Sequence, residues 1–101
     1  MEILERLDGL VSRFEEVSTL ITDAHVIADQ KRYVKLTKEY KDLGKLMEVR
    51  KEYIGCLQNV EDAKEMLAME EDAETKAMLR EELSASEKRI PELEEEIKLL
   101  L

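Results

Sequence analysis

The stretch DAHVIADQKRYVKLTKEYKDLGKL, residues 23–46, contains a turn, a helix start and the opening of the longest helical pattern in the chain. Asp23 is a turn former that can bond nearby backbone donors. Asp29 is placed to cap the next helix, because its carboxylate can accept backbone N–H groups at a helix start. Beyond it, Tyr33, Leu36, Tyr40 and Leu43 recur three and four apart, the spacing of one helix face. Val26 and Ile27, between the two aspartates, are expected to pack the connection against a helical bundle.

Outward from this stretch the helical spacing continues in both directions. Ile3, Leu7, Leu10, Phe14, Val17 and Ile21 form an a/d seam, which predicts a helix over about 2–22. Downstream, Leu46, Val49, Tyr53, Cys56, Val60, Ala63 and Leu67 make a second stripe. Together with the first it predicts a helix over about 29–70. Positions 40, 43, 46 and 49 step by three, a shift of the seam like a stammer, and Gly44 sits at that shift. The middle helix is therefore expected to be bent or broken near Gly44. MEEDAET, residues 69–75, reads as a turn with Asp72 as the next N-cap. A third helix over about 73–100 carries Leu79, Leu83, Ser86, Ile90, Leu93, Ile97 and Leu100 at heptad spacing. Pro91 lies inside it and removes one helical hydrogen bond. A kink at Ile90–Pro91 is expected, or a helix restart with Pro91 in its first position.

The expected fold is all-α: elongated antiparallel hairpins, or a coiled coil, of three long helices in one domain spanning 1–101. At about 1.5 Å per residue the middle helix would reach about 63 Å. Folding its neighbours back antiparallel would set Ile3 against residues 45–48 and Leu100 near Leu43. The chain ends EEIKLLL without a stop signal, which suggests a fragment of a longer protein, its leucines packed into the bundle. Seams left uncovered could pair two copies weakly.

Composition supports this class. The 101 residues are 41% charged and 4% aromatic, with a formal net charge of −9. That balance opposes wholesale binding to nucleic acid or an anionic membrane. No apolar run approaches the ~20 residues that span a bilayer. The acidic start, MEILERLDGL, is unlike a secretory signal. A single cysteine excludes an internal disulfide and fits a reducing cytoplasm.

No constellation for catalysis is found, and neither enzyme activity nor a cofactor or metal is expected. There is no Gly-rich phosphate loop and no Cys/His cluster at ligand spacing. His25 and Cys56 lack the orienting group and oxyanion donors of a catalytic pair. They read as a loop histidine and a buried structural cysteine. The acidic runs EED and ELEEEI point several ways around a helix and read as solvated faces. Tyr33, Tyr40 and Tyr53 could stack on bases, but they lie on the apolar seams and are expected to pack in the core.

One segment departs from the acidic background. Residues 29–45 carry 6 basic and 3 acidic side chains. At about 100° per residue, Lys31, Lys35, Lys38, Lys41 and Lys45 fall within about 120° of one another, opposite the Tyr33–Leu43 stripe. Such a stripe is either a solvated face paired with nearby acids or a contact patch for an acidic protein or an RNA backbone.

The order of residues is more specific than their charge. Asp23-Ala24, Val26-Ile27, Ala28-Asp29, Lys31-Arg32-Tyr33 and Leu36-Thr37-Lys38-Glu39-Tyr40 resemble the N-terminal region of bacterial class I peptide chain release factors, most nearly the type reading UAG and UAA. RFEEVSTLI before them and EEIKLLL at the end are also similar. The resemblance implies the helical first domain of such a factor, helping to place it on the ribosome near the large-subunit stalk base. Implied partners are ribosomal protein, rRNA and the GTP-binding release factor. The family's codon-reading Pro-x-Thr-type tripeptide and its Gly-Gly-Gln do not occur here. A reading from another class is a freestanding antiparallel coiled-coil chaperone or adaptor that binds protein through its tips.

Overall fold

The computed structural model describes residues 2–101. Four helices follow one another: α1 (Glu2–Leu20), α2 (Ala24–Ala28), α3 (Gln30–Met69) and α4 (Ala73–Leu100). No strand occurs among the described residues. The expected three helices thus become four, because the connection at 23–28 is itself one helical turn. The Asp23 carboxylate accepts the N–H groups of His25 at 2.8 Å and Val26 at 3.4 Å, which starts α2. Val26 is buried and anchors it, whereas Ile27 is exposed.

The other helix ends have equally local causes. At the close of α1 the bonding tightens: Thr22 N–H donates to the Thr19 carbonyl and Asp23 N–H to that of Leu20, both at 3.1 Å. Asp29 stays outside α3 and accepts the Arg32 N–H at 3.3 Å. Asp72 accepts from the Thr75 N–H at 2.9 Å and its hydroxyl at 2.8 Å. Those bonds hold the Asp72 carboxyl below the ordinary aspartate range.

α3 runs as one helix through Gly44, so the expected break is absent. A Cβ built on Gly44 would meet only the Phe14 ring, at an ordinary 3.8 Å. Helix propensity at one glycine costs about 1 kcal/mol, too little to interrupt a helix packed along its length. α4 likewise continues through Pro91, and no restart occurs there. The missing N–H leaves the Glu87 carbonyl without its helical donor, on an exposed stretch where water can replace it.

The chain divides into two compact units, residues 1–50 with 100–101, and residues 51–99. In the first, Leu7, Val17, Val26, Leu36, Leu43 and Leu46 are buried. Arg13 and Arg50 on the two sides of this core pair with Glu39 and Asp8, respectively, which fixes α1 antiparallel to the start of α3. The expected register would have set Asp8 across from about 40–43. The Arg50 pairing lies further along α3.

In the second unit, Tyr53, Ala63, Leu79, Ser86, Leu93 and Ile97 are buried. Each lies on a seam marked by heptad spacing. Arg89 forks onto Glu52, with Nε at 2.8 Å and Nη2 at 3.1 Å, and draws that carboxyl below the ordinary glutamate range. Inside the unit, Tyr53 Oη donates to Glu94 Oε2 at 2.8 Å. Burial, reinforced by that bond, pushes the Tyr53 phenol up to about 12.

The three tyrosines therefore divide. Tyr53 is 1% exposed and a core residue, as expected. Tyr40 is 37% exposed and stacks on Phe14, with centroids 5.3 Å apart and rings 10° from parallel. Tyr33 is 36% exposed and is not a core residue. Cys56 is half-buried rather than buried, and His25 is exposed on α2 rather than in a loop.

Candidate functional site

The lysine stripe begins one turn into α3. The Asp29 cap sets the phase of that helix, and burial of Leu36 and Leu43 fixes which side faces the core. Lys31, Lys35, Lys38, Lys41 and Lys45 are then all exposed. Among the described residues, none of the five takes part in an ion pair.

The acids within the segment explain part of this. Arg13 of α1 takes both oxygens of Glu39, with Nε at 2.6 Å and Nη2 at 2.7 Å. A two-bond fork of this kind is geometrically specific. Hydrogen bonding by Arg13 holds the Glu39 carboxyl below the ordinary glutamate range. Arg13 also bonds Glu16, and its own ionisation is pushed further up. Glu39 is thereby engaged across the helix pair.

An open groove lies beside the stripe, lined by Arg13, Arg32, Lys35, Leu36, Lys38, Glu39, Asp42 and Leu43. It brings together two of the five lysines, Lys35 and Lys38, with two arginines. Lys31, Lys41 and Lys45 do not line it. With Glu39 committed to Arg13, three cations face Asp42 as the remaining acid. Such a surface can attract a polyanion or a carboxylate-rich protein, and salt would weaken the attraction.

Helical spacing alone predicts the stripe, but it does not mark Arg13 or Arg32 as part of the site. Arg32 is next to Lys31 in the basic run. Arg13 precedes the seam residue Phe14, so its flanking position was the available signal.

No group of three or more His, Cys, Asp or Glu side chains that could hold a metal ion occurs among the described residues. No helix among them is long and apolar enough to cross a membrane.

Comparison with known proteins points the same way as the residue order. The family model described as the PCRF domain matches residues 10–101. Peptide chain release factor 1 of Bacteroides thetaiotaomicron is 67% identical over 99 residues, covering 98% of this chain and 27% of that protein. The protein of the same name from Parabacteroides distasonis is 61% identical over the same length and shares. That from Clostridium tetani is 40% identical over 99 residues, covering 98% of this chain and 28% of its own. The chain thus spans little more than a quarter of these relatives. No solved structure matches it.

Proposed function

The chain belongs to the PCRF domain family, and on that premise we propose that it is the helical N-terminal domain of a class I peptide chain release factor of the UAG/UAA-reading type. Its role there is placement. The lysine face of α3 meets an acidic surface of the ribosome near the large-subunit stalk base, either rRNA or protein, in the cytoplasm. The GTP-binding release factor is a second partner of the same domain. The domain acts by binding, while codon reading and peptidyl-tRNA hydrolysis fall to other parts of the factor.

The observation that carries this reading is the family match over 10–101 together with relatives named Peptide chain release factor 1 at up to 67% identity. The unpaired lysines beside an arginine-engaged Glu39 supply the physical reason to choose this face. The test is the coding region around residues 1–101. The reading requires an open frame that continues past Leu101 and encodes Gly-Gly-Gln. A stop codon directly after Leu101, with no such sequence downstream, would favour a freestanding helical adaptor instead.

A further inference from the structure

Three of the five methionines lie around the turn that joins α3 to α4, and all three are exposed: Met66 by 51%, Met69 by 76% and Met78 by 65%. None lies on a buried seam. Met66 lines a groove with Asn59, Asp62, Ala63, Glu82, Ala85 and Ser86. The other two methionines lie nearer the turn, at the helical phase of residues that line it. At about 100° per residue, Met69 projects within about 20° of Asp62, and Met78 within about 20° of Ala85. The groove therefore has small side chains, Ala63, Ala85 and Ser86, beside the Met66 thioether, with two further exposed thioethers toward the turn.

The charge around this groove is one-sided. Residues 61–82 carry nine acidic and three basic side chains. Among the described residues, none of these acids is in an ion pair. Exposed methionine supplies an adaptable apolar surface, since its unbranched thioether repacks against many shapes. Apolar adaptability ringed by acid fits an amphipathic helix with basic flanks, seated helix-in-groove. The chain's own basic segment does not offer that complement, because Leu36 and Leu43 on its apolar side are already buried.

We infer that the α3–α4 tip is a docking site for a basic amphipathic helix of a protein partner. This surface is separate from the lysine face in both charge and composition, and it does not depend on the ribosomal role.

The test uses the full 101-residue chain with methyl-labelled methionines. The probe is a synthetic peptide of about 18 residues, long enough for about five helical turns, with leucine and lysine at amphipathic spacing. A leucine/glutamate peptide of the same pattern is the comparison. The methyl signals of Met66, Met69 and Met78 are expected to shift with the lysine peptide, while that of Met47 stays in place. Replacing M66Q, M69Q and M78Q together keeps every charge and should weaken binding by about tenfold or more. Circular dichroism checks that the variant keeps its helices, and the wild-type methyl shifts stand independently of it. Equal binding by the glutamine variant, equal binding of the glutamate peptide, or shifts centred on Met47 would overturn the inference. So would a concentration-dependent dimer that shifts the three methyl signals without peptide.

Discussion

Arg13 on α1 holds both carboxylate oxygens of Glu39 on α3, at 2.6 and 2.7 Å, and so engages the acid that flanks a lysine-rich helix face on its core side. The pair is partly exposed, so its worth to stability is small. Its consequence is electrostatic: Glu39 answers to α1 rather than to Lys35 or Lys38 beside it.

Releasing that carboxylate should change its titration. Glu39 is held below the ordinary glutamate range because its ionised form accepts the Arg13 bonds. Its contribution is therefore present above the unfolded value and lost as pH falls through the lower folded value. In Arg13→Ala, carboxyl carbon NMR should show Glu39 titrating back near the ordinary range. An unchanged titration would mean that another group holds it.

Tyr53 should make the second unit sensitive to alkali. Its folded phenol is raised to about 12 from a reference of 10.0. A raised folded value gives stability that is complete below the unfolded value and lost as pH rises through the folded one. Unfolding midpoints measured from pH 9 to about 12 should fall in the wild type. Tyr53→Phe should flatten that dependence, although loss of the bond to Glu94 lowers its stability at neutral pH by about 1 kcal/mol. A parallel fall in both proteins would assign the alkaline sensitivity elsewhere.

Gly44 is a helical glycine without a structural need for glycine. Its φ is not positive, and an added Cβ meets only Phe14 at 3.8 Å. Gly44→Ala should stabilise the chain by about 0.5–1 kcal/mol. In a domain of this size that is a rise of a few degrees, roughly 2–8 °C, in the thermal midpoint. A fall would mean that α3 needs freedom at this position.

How far the sequence led can be judged residue by residue. Leu79, Ser86, Leu93 and Ile97 were marked by heptad spacing, and all are buried. Asp29 and Asp72 were marked as caps, and each accepts the N–H three residues on. These features depend on local geometry, which a sequence records directly.

What escaped depends on position in space. α2 is a single turn, too short for a periodic signal, and is held by the Asp23 cap and the burial of Val26. Tyr33 fits the stripe by spacing, but spacing does not say how far a neighbouring helix covers it. The Arg13–Glu39 and Arg50–Asp8 pairs require the antiparallel register, which spacing along a single helix does not give. The lysine side of α3 was readable as a face; that its lysines lack ion-pair partners was not.

The role of that face can be measured in the full-length factor. Lys35, Lys38 and Lys41 are reversed together to glutamate, and binding to ribosomes is followed at low salt, where surface charge acts most strongly. Placement through this face predicts affinity lower by about tenfold or more, with a shallower dependence on salt than the wild type. Unchanged affinity at low salt would contradict it and leave the lysine stripe as a solvated surface of α3.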